Sequence, residues 1–287
     1  MEQFWQWWQH LPARIDPVLL QIGPVRLQYY GLMYLAAFGL TYYLVIRRVK
    51  TEKHWTATTE QVQSLMTALI LGVLIGGRLG YVIFYNPGYY LRHPLEIVLP
   101  FRFSNGVTFS GISGMSYHGG LLGVIIAAWP ALRSQKGLFL QMMDLVVPAA
   151  PLGYTFGRIG NFINGELYGR VTTKPWGMFF PLAADNRLRH PSQLYEAFFE
   201  GLFLFALLWF VKNRIKAPGA ILGAYLIGYG VVRFFIEFFR QPDDHLGLVF
   251  ASLSMGQILC LAMILMGLIW WRTMIYLLPN SKMKRSQ

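Results

Sequence analysis

Arg158, Asn161, Asn164 and Glu166 stand within thirteen residues, GRIGNFINGELYG at 157–169, among four glycines. One guanidinium and two amides supply hydrogen-bond donors for an anion, and a carboxylate beside them can orient a cation. Gly157, Gly160, Gly165 and Gly169 permit backbone conformations and close approaches that side chains block. Each member alone reads equally well as part of a satisfied polar turn. Together, in a chain that is 55% apolar, they favour the binding of an anionic headgroup.

Three further stretches carry groups of the same kind. In YGVVRFFIEFFR, residues 229–240, Tyr229, Arg233 and Glu237 recur every fourth residue, so a helix gathers them on one face. That face serves either as an Arg/Glu pair holding helices together or as a phosphate site, since a guanidinium is a planar fork of donors. SGMSYHGGLLG at 113–123 puts His118 where a glycine-rich loop enters an apolar run. A helix N-terminus there disfavours imidazolium and leaves the ring available as a base; a structural hydrogen bond is the competing reading. Gly119, Gly120 and Gly123 have a packing explanation, because small residues let membrane helices approach closely. In RHPSQLYE, 189–196, Pro191 and Ser192 read as a helix start with Ser192 as a candidate cap. Gln193 and Glu196 are candidates for a polar interior, which spacing alone does not decide. The single cysteine, Cys260, lies in an apolar run that suppresses the thiolate, so a catalytic thiol is a poor reading. No Cys or His pair stands at zinc-ligand spacing, and neither a metal nor a cofactor is expected.

Positioning these groups falls to a strongly apolar chain. Its 287 residues are 16% aromatic and only 13% charged, the composition of a polytopic membrane protein rather than a soluble domain. Seven apolar runs, roughly 28–46, 62–84, 118–132, 140–156, 192–211, 219–238 and 254–278, approach the ~20 residues a bilayer helix needs, the third and fourth being short. The formal net charge of +12 would suit nucleic acid or an anionic membrane, and its placement favours the membrane. Basic residues follow the first, third, fifth and seventh runs: Arg47, Arg48, Lys50 and Lys53; Arg133 and Lys136; Lys212, Arg214 and Lys216; Arg272, Lys282, Lys284 and Arg285. By the positive-inside rule that side is the cytoplasm and the N-terminus is outside. The expectation is an all-α membrane protein of seven transmembrane helices, one domain over 1–287, with outer insertions at 86–117 and 157–191. The N-terminus lacks the features of a signal peptide; Trp5, Trp7 and Trp8 suit an interfacial segment, with a frayed tail as the alternative. Charges inside the runs are costly and face a polar interior: Arg78, Asp144, Glu196, Glu200, Arg233 and Glu237. Ion pairing is the default for Arg78, Asp144 and Glu200. GRLGY at 77–81 faintly echoes GRIGN at 157–161, too briefly for a repeat.

YYGLMY at 29–34, GGRLGYVIFYN at 76–86, SYHGGLLG at 116–123, GRIGNFINGELYG, HPSQLYE at 190–196 and RFFIEFFRQPD at 233–243 together resemble the bacterial prolipoprotein diacylglyceryl transferases. The resemblance runs in order through nearly the whole chain. It implies an inner-membrane enzyme of seven helices with its N-terminus in the periplasm. Such an enzyme moves the diacylglyceryl group of phosphatidylglycerol to the thiol of a lipobox cysteine in a preprolipoprotein and releases glycerol phosphate. Its partners are then phosphatidylglycerol, lipobox signal peptides and membrane lipids, with no nucleic acid. By the same resemblance Arg158 and Arg233 handle the headgroup, and His118, Tyr30, Asn161, Glu166, Gly169, Tyr229 and Glu237 match positions important for function. His118 would assist thiol deprotonation, Arg233, Glu166, Asn161 and Tyr30 would complete the catalytic set, and Glu166 and Glu237 would orient the arginines. Tyr29 departs from a frequent tryptophan before Tyr-Gly, a change between two interfacial aromatics. Competing readings are a transporter or flippase whose charged interior lines a path, and a non-catalytic lipid-binding scaffold.

Overall fold

A computed structural model describes residues 1–23, 25–52, 54–102, 108–109, 114–134, 136–241, 248–250 and 253–277. Lys53, residues 103–107 and 110–113 of the first insertion, Pro242 and Asp243, and the basic residues Lys282, Lys284 and Arg285 lie outside them. The apolar runs form helices, because a segment without water must satisfy its backbone N–H and C=O groups internally. In chain order the helices are α1 (Glu2–Gln9), α2 (Leu11–Arg14), α3 (Tyr29–Thr51), α4 (Thr59–Tyr85), α5 (Pro87–Arg92), α6 (Tyr117–Ser134), α7 (Lys136–Val146), α8 (Ala150–Ile163), α9 (Ser192–Glu196), α10 (Leu204–Val211), α11 (Ala220–Ile236) and α12 (Met255–Arg272). Short antiparallel ribbons join β1 (Val18–Ile22) to β2 (Val25–Gln28), β3 (Phe101–Arg102) to β4 (Thr108–Phe109), and β5 (Leu248–Phe250) to β6 (Leu253–Ser254).

Four helical stretches, Tyr29–Thr51, Thr59–Tyr85, Ser192–Val211 and Met255–Tyr276, are long and apolar enough to cross a membrane. Ile126, Phe210 and Leu259 are among many large apolar side chains left exposed, as lipid-facing residues are. The chain is a mostly helical, polytopic membrane protein. The expected span at 140–156 is two helices. Proline cannot continue the hydrogen-bond ladder, and with Pro148 in the connecting turn α7 stops at Val146 and α8 starts at Ala150, placing Pro151 in its first turn. Helix α8 then continues to Ile163, so Arg158 and Asn161 are helical residues rather than the start of a loop.

Two compact units divide the chain. The first comprises Met1–Pro17, Tyr29–Val45 and Met143–Gln287. Within it the stretch Ala197–Phe203 joins α9 to α10 as a π-helix. Thr155 of α8 explains the local unwinding: its hydroxyl donates to the Ala197 carbonyl at 3.1 Å, and Gly201 leaves room for it. Asp144, 4% exposed, accepts from the backbone N–H groups of Gly219 at 2.6 Å and Ile221 at 3.3 Å, satisfying the electropositive start of α11. Ser192 is the first residue of α9 and makes no cap; its hydroxyl donates to the Leu167 carbonyl at 3.1 Å. The N-terminal segment is no frayed tail. Trp8 Nε1 donates to the Trp176 carbonyl at 2.9 Å, and Trp8, Leu11 and Ile15 pack on Phe162, Met178, Phe180 and Ala183 of the 157–191 stretch.

The second unit comprises Val18–Gln28 and Ile46–Met142. Its centre is the pairing of α4 with α6 through glycines: a Cβ on Gly76 would strike the Gly119 carbonyl, and one on Gly123 the Gly72 carbonyl. Close helix contact thus accounts for Gly119 and Gly123. Arg78 of α4 donates to the carbonyls of Ile97 at 2.8 Å, Gly114 at 3.3 Å and Glu96, with its guanidinium 4.9 Å from the Tyr90 ring centre.

Candidate functional site

Three helices of the first unit, α8, α9 with its π-helical continuation, and α11, direct charged side chains at one another. Helical spacing puts Tyr154 one turn before Arg158 on α8, Glu196 four residues before Glu200, and Tyr229, Arg233 and Glu237 along one face of α11 and its end. Glu196 is the hub. Its Oε2 lies 2.9 Å from Arg158 Nε, 2.9 Å from Arg233 Nη1 and 3.3 Å from Arg240 Nη1. Arg233 also reaches Glu200 through Nη1 at 3.2 Å and Glu237 through Nη2 at 3.2 Å. Glu237 further pairs with Arg240 Nε at 3.4 Å and accepts from the Ser254 hydroxyl at 3.3 Å.

Burial makes this arrangement energetically demanding. Glu196 and Glu200 are wholly buried, and the arginine side chains are 15–18% exposed. Removing charges from water is costly, and only good geometry with further hydrogen bonds offsets it. Three guanidiniums and three carboxylates balance formally, while Glu237 Oε2 and Arg240 Nε, 3.4 Å apart, are buried without a hydrogen bond among the described residues. Tyr154 adds a neutral link: its hydroxyl accepts from Arg158 Nε at 2.8 Å and donates to Glu200 at 2.7 Å.

The polar motif continues the network outward. Arg158 Nη1 donates to Asn161 Oδ1 at 3.2 Å, and Asn161 Nδ2 donates to Glu166 Oε1 at 2.9 Å, where Asn164 Nδ2 also arrives at 3.3 Å. Gln193, fully buried, donates to the Glu166 carbonyl at 2.6 Å. The turn between depends on Gly165, whose φ of 69° is readily adopted by glycine. Tyr30, in the first turn of α3, packs its ring on Gly160 and joins its hydroxyl to that of Tyr34 at 3.2 Å. The Tyr229 ring meets Tyr154 edge-on, 6.0 Å between centres. Gly169 has a backbone role in the described geometry: its N–H donates to the His190 carbonyl at 2.8 Å, and a Cβ there would collide with the Phe239 and His190 carbonyls. Outside the spans, burial and the nearby Lys174 hold His190 below the ordinary imidazole range. Hydrogen bonding from Arg189 holds the Asp185 carboxyl below the usual carboxylate range.

The expected site residues therefore fall into two groups. Arg158, Arg233, Asn161, Glu166, Gly169, Tyr30, Tyr229 and Glu237 all belong to the first unit. His118 belongs to the second, exposed on the first turn of α6. The orienting roles also change. Glu237 does contact Arg233, but Arg158 is paired with Glu196, and Glu166 reaches it only through Asn161. Sequence reasoning left Glu196 and Glu200 open and passed over Tyr154 and Arg240. Their signal was the i,i+4 spacing of Tyr154 with Arg158 and of Glu196 with Glu200, and Arg240 two turns beyond Arg233.

Chemically, the cluster can grip an anion. Arg158 spends Nε and Nη1 on protein partners, and among the described residues Nη2 makes no hydrogen bond. The family model described as prolipoprotein diacylglyceryl transferase matches residues 17–273. The phosphatidylglycerol–prolipoprotein diacylglyceryl transferase of Chlorobaculum tepidum is 53% identical over 274 residues, 94% of each chain. Proteins of the same name from Polaromonas naphthalenivorans and Idiomarina loihiensis are 46% and 48% identical, over 90% and 92% of this chain and 94% of each relative.

Proposed function

The chain belongs to the prolipoprotein diacylglyceryl transferase family, and from that premise we propose that it transfers the diacylglyceryl group of phosphatidylglycerol to the cysteine thiol of a prolipoprotein. The observation that carries the site is the convergence of Arg158 and Arg233, from separate helices, on one buried carboxylate while Arg158 keeps its Nη2 edge for an anion. The headgroup phosphate lies on that edge, with Asn161, Tyr229 and Glu237 shaping the surroundings and Gly169 keeping the adjoining backbone close.

In the reaction the cysteine sulfur attacks the diacylglyceryl carbon that carries the phosphate ester. A C–S bond forms, the C–O bond breaks, and its electron pair leaves on the phosphate oxygen of glycerol phosphate. Arg158 and Arg233 stabilise the charge that gathers there. The thiol, with an ordinary pKa near ~8.5, must lose its proton during attack. His118 accepts that proton and passes it to solvent or product; Asn161, Glu166 and Tyr30 complete the catalytic set by holding Arg158 and its surroundings. No nucleophilic cysteine of the enzyme is needed, because the substrate brings one. The peptide partner carries a lipobox, and the enzyme sits in the bacterial inner membrane with seven spans, a periplasmic N-terminus and the 157–191 insertion as a periplasmic head. The apolar helices and basic run ends support that placement.

The test is purified protein with labelled phosphatidylglycerol and a lipobox peptide. Thioether-linked peptide with one glycerol phosphate released per product is the expected result; lipid movement without covalent product overturns it in favour of transport. His118→Gln separates the base from the phosphate site: near-native turnover at several pH values removes His118 from its role and leaves the arginines in theirs.

A further inference from the structure

Within the first unit, one neutral group stands among the six charges. Tyr154 accepts a hydrogen bond from Arg158 Nε at 2.8 Å, donates to Glu200 Oε2 at 2.7 Å and lies 3.2 Å from Glu196 Oε2. Its ring lies 4.8 Å from the Arg158 guanidinium carbon, centre to carbon, so the tyrosine supports the cation by face and by hydroxyl. The same Arg158 Nε is 2.9 Å from Glu196 Oε2. The Arg158 Nε–H is therefore given to a neutral hydroxyl while a wholly buried carboxylate lies equally near the same nitrogen. Carboxylates prefer to take a guanidinium two-pronged, and a two-pronged pair with Glu196 would draw in a second nitrogen of Arg158. Glu200 is divided between two donors: its Oε2 accepts from Tyr154 at 2.7 Å and its Oε1 from Arg233 Nη1 at 3.2 Å.

We propose that Tyr154 is a positioning residue for the phospholipid: its hydroxyl divides Arg158 and Glu200 between partners and so keeps the Nη2 edge of Arg158 available to the headgroup phosphate. The proposal rests on the reading that Arg158 holds that phosphate. Its distinctive consequence concerns competition between carboxylates. Without the hydroxyl, Glu196 engages Arg158 more fully and competes with phosphate. If Glu200 is then neutralised, Arg233 draws Glu196 to itself and Arg158 is released.

The experiment measures KM for phosphatidylglycerol, kcat, and inhibition by glycerol phosphate in detergent-purified enzyme with a lipobox peptide. Tyr154→Phe, which keeps the ring, is expected to raise KM and the glycerol phosphate Ki by about fivefold to tenfold, the scale of one ordinary net hydrogen bond, with kcat within about twofold. Adding Glu200→Gln to Tyr154→Phe is expected to bring both constants back toward the native values. Unchanged KM and Ki in Tyr154→Phe, or a double variant worse than the single one, overturns the proposal, since a merely structural tyrosine yields no rescue. Arg158→Gln separates the two readings: if it leaves Ki unchanged, the headgroup assignment itself fails; if it raises Ki while Tyr154→Phe does not, only the role of Tyr154 fails. Should the phenylalanine variant not survive extraction, glycerol phosphate inhibition of thioether formation in native membranes provides the same comparison.

Discussion

Arg78 and Arg158 sit in similar settings, GRLG on α4 and GRIG on α8, and the protein uses them differently. Arg78 donates to the carbonyls of Ile97, Gly114 and Glu96 and rests on the Tyr90 ring. Arg158 meets the carboxylate of Glu196, the hydroxyl of Tyr154 and the amide of Asn161. Backbone carbonyls are fixed by the chain and tie distant segments together. Carboxylates and hydroxyls can re-pair when another anion arrives. The first environment anchors a loop; the second can bind and release a phosphate.

The largest effect is expected where the second environment has its centre. Glu196→Ala strips a shared carboxylate from Arg158, Arg233 and Arg240 and should cost about 3–5 kcal/mol of stability, the usual penalty for an uncompensated buried charge. Thermal unfolding in detergent reads it; a native midpoint would mean the arginines do not depend on Glu196. Next, Arg158→Gln and Arg233→Gln should each lower kcat/KM at least ~100-fold per folded molecule, the scale of losing one preorganised donor to developing charge. Arg78→Met sharpens the contrast, with an expected loss of about 1–3 kcal/mol from orphaned carbonyls and turnover per folded molecule within about twofold. Activity lost at native stability would erase the distinction between the two arginines.

The smallest effect concerns pH in the 157–191 stretch. His190 has its pKa depressed by burial and by Lys174, so its folded form resists protonation. Its contribution is present above the unfolded value near ~6.5 and falls away as pH drops through and below it. Asp185, depressed through Arg189, contributes above the unfolded value near ~3.9 and loses that contribution as pH falls through its folded value. Protection of the 169–190 amides against hydrogen exchange, taken relative to the intrinsic rate at each pH, should therefore fall below pH ~6.5 and again below ~3.9, and His190→Gln should abolish only the first step. An exchange profile insensitive to His190→Gln assigns the first step to another group.

Much of the site was legible. Tyr229, Arg233 and Glu237 were placed on one face by a spacing of four, and Arg233 meets Glu237 there. GRIGNFINGELYG was recognised as one polar unit, and Arg158, Asn161 and Glu166 do form a chain of hydrogen bonds. The charge partners were less legible. Glu166 is expected to orient an arginine and reaches Arg158 only through Asn161, whereas the carboxylate paired with Arg158 is Glu196, thirty-eight residues away. Sequence proximity is a poor guide when a buried cation can be met by any helix packed against it. The break of the span at 140–156 was written in Pro148 and Pro151, but hydropathy averages over prolines and so misses a turn inside an apolar run.

What the sequence determined by itself was the solvent of this protein and the kind of chemistry it carries. Apolar length demands helices in a bilayer, and charges within such helices demand partners or a ligand; both follow from residue types alone. Tertiary structure decided which partner each charge obtained. Only packing of α8 and α11 against the Ser192–Val211 stretch brings Glu196 within 2.9 Å of Arg158 and Arg233, with the Tyr154 hydroxyl taking the Arg158 Nε–H beside it. The physical reason is range: the preference for burial is set residue by residue along the chain, whereas a guanidinium and a carboxylate recognise each other only within a few ångströms.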